Sequence, residues 1–127
     1  MSAPSLTLTT VNIGAPDPAA LAEFYQRLLP DWRLHSDPDQ GDHFLRPPAD
    51  GVALSFQLET PWERPVWPTV GGKQQMMMHL EIKVEDLDAA LDHAVKSGAT
   101  LADFQPQDDV RVCLDPAGHP FCLWIEE

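Results

Sequence analysis

Shifted by 69 residues, the chain lies over itself, and this internal repeat constrains the fold more than any other feature. VNIGAPDPAAL (11–21) falls on LEIKVEDLDAA (80–90), matching Ile13 with Ile82, Asp17 with Asp86 and Ala20 with Ala89. Identity is thin, but the physical roles coincide. Each stretch reads as an alternating strand, an acidic cap and an amphipathic helix. In the first copy Asp17 suits the N-cap, and Pro18 suits the first helical position, where its missing N–H costs nothing. Leu21, Phe24, Tyr25, Leu28 and Leu29 then share one helical face, and Pro30 ends the helix. In the second copy Asp86 caps, Leu87, Ala90, Leu91, Ala94 and Val95 form the stripe, and Gly98 supplies the stop.

Three short strand-like pieces follow each helix, at 32–35, 43–46 and 52–59 and again at 100–104, 110–114 and 121–125. Phe56-Gln57-Leu58 lies over Phe121-Cys122-Leu123 at a shift of 65, which implies a slightly shorter second half. The turn DPAGHP (115–120) suits a hairpin, with Gly118 free to take a positive φ. Each half is therefore β-α-β-β-β. Residues 6–59 and 75–126 form two modules of one α+β domain spanning 1–127. The connecting 60–74 is rich in proline and carries Trp62 and Trp67. It reads equally as a spacer or as a loop covering a pocket.

Charge and composition exclude several functions. Eight Lys and Arg against twenty Asp and Glu leave a net charge of −12, so the positive footprint needed for nucleic acid or an anionic membrane is missing. The acids are spread along the chain, as on a solvated surface. No apolar run is long enough to span a bilayer, and MSAPSLTLTT has neither a basic nor an apolar leader region, so a cytoplasmic location is expected. Cys113 and Cys122 fall short of a disulfide framework. In a hairpin that sets Cys113 opposite Phe121 they face opposite sides of the sheet and stay reduced.

A duplicated βαβββ unit with these signals in this order resembles the vicinal oxygen chelate superfamily, which includes glyoxalase I, bleomycin-resistance proteins and extradiol dioxygenases. The carriers are Asp17-Pro18 with Phe24-Tyr25 and Leu28-Leu29, His79-Leu80-Glu81-Ile82 with Asp86-Leu87, and Asp115-Pro116-Ala117-Gly118 with Phe121. The resemblance covers residues 6–126 and is nearest to the small bacterial glyoxalase-like domains. It implies two curled mixed sheets, each with one helix on its outer face, together enclosing a cup-shaped pocket. Homodimers are common in the superfamily.

The resemblance also implies metal-ligand positions on the first and last strands of each module, here Thr10, Gln57, His79 and Cys122. His79 is a first-rate ligand and Gln57 an acceptable oxygen donor, whereas Thr10 is poor and Cys122 unusual in such company. Zn, Fe, Ni or Mn are the divalent metals such sites hold, and this degraded set points instead to no tightly bound metal. Strand alternation turns Met77, His79 and Glu81 to the cup, together with Pro120, Cys122 and Trp124. Thr10, Gln57, Met77, His79, Cys122 and Trp124 are thus the candidate ligand-binding residues, and His79 with Glu81 is a candidate acid–base pair. Two functions are implied. One is a metal-independent protein holding a small molecule in the cup near His79, as bleomycin-resistance proteins do. The other is a metal-dependent lyase, isomerase or dioxygenase.

Overall fold

In the computed structural model, which describes residues 4–37 and 39–126, both halves of the repeat fold as expected. Residues 1–3, 38 and 127 of the expected 1–127 domain lie outside the described residues. The chain divides between Glu59 and Thr60 into two compact units.

The first unit runs β1 (Thr10–Ala15), α1 (Pro18–Leu28), β2 (Arg33–Asp37), β3 (Asp42–Arg46) and β4 (Ala53–Leu58). Its sheet has the order β1-β4-β3-β2, with β1 parallel to β4 and the remaining pairs antiparallel. Asp17 caps α1 by accepting from the Ala20 N–H at 3.1 Å, and Pro18 opens the helix. Leu21, Phe24, Tyr25 and Leu28 are buried, so the apolar stripe meets the sheet. The Tyr25 ring stacks on Phe56 of β4 at 5.7 Å between centroids.

The second unit repeats this with β5 (Leu80–Lys83), α2 (Leu87–Ser97), β6 (Thr100–Leu101), β7 (Val110–Leu114) and β8 (Pro120–Trp124), in the order β5-β8-β7-β6. Asp86 accepts from Ala89 N–H at 3.0 Å, and Gly98 ends α2 at a φ of 125°. Cys113 pairs with Phe121 across the β7–β8 hairpin, so the two cysteines point to opposite faces, and both are free thiols. Among the described residues, no helix is long and apolar enough to cross a membrane.

Two details depart from the sequence reading. The alternation that sets Met77 beside His79 and Glu81 requires a strand from Met77 on, but β5 begins only at Leu80. Met77 and Met78 stand before it, 74% and 79% exposed, and Met76 is half-buried. Without strand geometry the period of two does not govern those methionines. The second departure concerns register. Asn12 pairs with Ser55 in the first unit and Glu81 with Cys122 in the second. Because Asn12 and Glu81 are 69 residues apart, the counterpart of Cys122 is Ser55, at a shift of 67, two residues from Gln57. The burial of β4 and β8 agrees: each begins with four buried residues, Ala53 to Phe56 and Pro120 to Leu123.

The connecting segment packs on the second unit. Val66 N–H donates to Gln74 C=O at 2.8 Å, closing residues 66–75 as a loop, and Glu63 accepts from Gln74 N–H at 2.6 Å. Arg64 reaches the β7–β8 turn and donates to the Pro116 carbonyl at 2.8 Å. Its side chain lies over Gly118, whose φ of 98° and lack of a Cβ make room for it. Trp62 meets His119 edge-on at 5.3 Å between centroids.

Candidate functional site

β8 separates two environments within the second unit. Phe121 and Leu123 point to the buried side, with exposures of 0% and 2%. Pro120, Cys122 and Trp124 point the other way, and there they line a cavity of about 500 Å³. That lies inside the range of roughly 300–1,000 Å³ in which small-molecule sites fall. His79 and Glu81 line it from the edge and start of β5, and Val110 and Val112 from β7. Their shared face follows from strand alternation and from the register that sets Cys122 between Glu81 and Val112.

The cavity wall next to β7 is apolar. Ala102, Val112 and Cys122 form a buried cluster, and Trp67 packs against it. Trp67 arrives on the looped connecting segment and stacks on Phe104, 5.8 Å between centroids and 30° between planes. Of the two indoles on this segment, Trp67 lines the cavity, while Trp62 rests on His119.

The polar wall is a chain of three groups. His79 Nε2 lies 3.2 Å from Glu81 Oε1, and the Glu81 carboxylate in turn neighbours the Cys122 thiol. One ligand atom each from His79, Glu81 and Cys122 lies within 4.8 Å of the others. Burial pushes the Cys122 thiol up to about 11, and the neighbouring Glu81 carboxylate adds to the rise. Burial alone does the same to Cys113, also to about 11. A thiol held protonated is a poor nucleophile, so the site does not support a nucleophilic role for Cys122.

Two expected outcomes follow from the thiols. Iodoacetamide at pH 7.5 will leave both cysteines of the native protein unmodified while urea-unfolded protein reacts fully, as mass spectrometry will read. Rapid native labelling of Cys122 would refute the protonated state. Both thiols titrate higher when folded, so the stability linked to them is intact below about 9 and declines as pH rises from there toward about 11.

The candidate residues divide between the units. His79, Glu81, Cys122 and Trp124 share the cavity, whereas Met77 is exposed and Met76 lines the wall in its stead. Thr10 opens β1 of the first unit, where its hydroxyl donates to Thr9 Oγ1 at 3.3 Å. Gln57 lies near the end of β4 and donates to Glu59. Asn12 Nδ2 donates to Ser55 Oγ at 2.7 Å, a neutral counterpart of the Glu81–Cys122 pair. Sequence reasoning passed over Asp109, Val110 and Val112, which also line the cavity. The hairpin register contained the signal for Val112: if Cys113 faces Phe121, Val112 faces Cys122.

Imidazole, carboxylate and thiolate are donors that suit a zinc-class ion and leave a coordination position open, so these three residues fit such a metal once the thiol gives up its proton.

Residues 10–124 match the family model of the glyoxalase-like domain. No curated protein matches the chain. Among solved structures, a glyoxalase/bleomycin resistance protein/dioxygenase family enzyme from Burkholderia phytofirmans PsJN aligns with a TM-score of 0.69 at 19% identity, covering 94% of this chain and 98% of its own. A glyoxalase-related enzyme from Fulvimarina pelagi aligns at 0.66 and 19% identity, over 94% and 88% of the two chains. An antibiotic-binding protein from a Streptomyces species aligns at 0.64 and 14% identity, over 99% and 100%. At these identities the likeness is one of fold.

Proposed function

The chain belongs to the glyoxalase-like domain family, and from that premise we propose that it binds a small molecule in the second-unit cavity without needing a metal. The observation that carries this reading is the cavity itself: about 500 Å³, with Trp67, Trp124, Val110 and Val112 as apolar walls and His79, Glu81 and Cys122 as a polar one. Apolar walls with a few convergent polar groups are the usual make-up of a ligand site. The antibiotic-binding protein of the same fold is consistent with it. Met77 stays in the proposal as a contact a bound ligand would reach, and Thr10 and Gln57 stay in it as candidate ligand contacts of the first unit. A cytoplasmic location and a homodimer belong to it too, the latter to be read by size exclusion with light scattering.

The test uses 9-anthracenemethanol, a flat neutral probe, with chelator-treated protein. Isothermal titration should show one saturable site, and Trp67→Ala should weaken it about tenfold, since loss of one stacking aromatic costs about 1–3 kcal/mol. His79→Ala should weaken it severalfold. Absence of saturable binding would sink the reading.

A second reading, a metal-dependent lyase, isomerase or dioxygenase, is favoured by the convergence of His79, Glu81 and Cys122 within 4.8 Å. A bound ion there would act as a Lewis acid on a substrate oxygen. Glu81 would hold His79 in orientation as well as contribute an oxygen. A stoichiometric metal in freshly purified protein, lost in Cys122→Ser, would favour this reading over the first.

A further inference from the structure

The charges around the cavity are one-sided. Glu81 and Asp109 line it, and among the described residues no Lys or Arg does. Lys83, set opposite Trp124 in the sheet, has its Nζ 5.9 Å from the centroid of the Trp124 ring and is paired with Glu126 at 2.7 Å. That contact has two consequences. The lysine charge is compensated by a carboxylate outside the cavity lining, and the Trp124 ring already receives a cation on its π system. Trp67, the second indole of the wall, is backed by Phe104 and so presents a held surface.

Flat aromatic walls with two carboxylates, and no Lys or Arg, among the described lining residues select for one ligand chemistry. An anion would meet Glu81 and Asp109 at close range and lose its hydration without compensation. A neutral aromatic gains only stacking. An aromatic cation gains stacking, cation–π attraction and a carboxylate partner together. We propose that the natural occupant is a flat, positively charged aromatic compound, stacked against Trp67 with its charge toward Glu81 and Asp109. This inference rests on the binding reading above and adds the ligand class to it.

Three probes of one three-ring size separate the two claims: proflavine as the cation, 9-anthracenemethanol as the neutral form and 9-anthracenecarboxylate as the anion. Affinities are read by isothermal titration at 0.15 M salt, where diffuse surface fields are screened. Proflavine should bind at least tenfold more tightly than the carboxylate. In E81Q/D109N that ratio should fall below threefold, while E85Q/D88N, which removes the same charge from acids that do not line the cavity, should keep it. Asp109→Asn alone is the second variant should the double one fail to fold. Its backbone carbonyl retains the bond from Ile125 N–H, and it should lower the ratio severalfold.

If all three probes bind alike, the ligand class is overturned and the binding reading stands. If E85Q/D88N abolishes the preference as fully as E81Q/D109N does, the selectivity belongs to the surface at large and the ligand class is again overturned. If none binds, both readings fall.

Discussion

Replacing Phe121 by alanine will cost about 4 kcal/mol of folding stability, in the range of roughly 3–5 kcal/mol for a fully buried phenylalanine. Phe121 is 0% exposed and sits on β8, between Leu80 of β5 and Cys113 of β7. In the second sheet β8 lies between β5 and β7, and it is the strand through which β5 joins β7 and β6. Removing the ring therefore opens a void beneath the strand that also presents Pro120, Cys122 and Trp124 to the cavity. Native domains hold only about 5–15 kcal/mol in total, so the variant should be partly unfolded at 37 °C. Phe121→Leu, which keeps most of the volume, should cost about 1 kcal/mol. Urea unfolding with unchanged m-value measures both. A loss under about 1.5 kcal/mol for Phe121→Ala would mean that β8 does not bear the packing assigned to it.

The second large effect is expected at Asp115, which is 1% exposed in the turn between β7 and β8. Its Oδ1 accepts two backbone N–H groups, from Ala117 at 3.0 Å and from His119 at 2.9 Å. Its own N–H donates to the His119 carbonyl, closing the turn. Alanine leaves both N–H donors without that acceptor in a largely water-free place, at a cost of about 3 kcal/mol. Asparagine keeps an oxygen where Oδ1 is and should cost about 1 kcal/mol. Melting temperatures should fall by several degrees for alanine and by a small fraction of that for asparagine. Equal losses in the two variants would show that the negative charge, and not the acceptor geometry, stabilises the turn.

Much of this fold is legible in the sequence because its signals are local. Asp17-Pro18 and Asp86 announce helix starts through their own side chains, and the stripe from Leu21 to Leu28 needs no knowledge of its partner. Strand alternation likewise brings His79, Glu81, Cys122 and Trp124 to one face. What alternation cannot fix is a slide by two residues, since that returns every side chain to the same face. The shared Phe-x-Leu of 56–58 and 121–123 suggests a shift of 65, whereas the pairing of Asn12 with Ser55 and Glu81 with Cys122 corresponds to 67. The error is invisible to periodicity and matters only for function, where it separates Ser55 from Gln57 as the counterpart of Cys122. Trp67 was unresolved for another reason: its place depends on a stacking partner, Phe104, far along the chain.

The connecting segment carries a consequence for anyone who would divide this protein. Composition marks 60–74 as the place to cut, permute or lengthen. Yet Arg64 lies over Gly118, Trp62 rests on His119, and Val66 is tied back to Gln74. A split-reporter fragment or a circular permutant opened inside this stretch would detach the strap that delivers Trp67. The serviceable breakpoint is the peptide bond between Glu59 and Thr60, where the chain passes from one unit to the next.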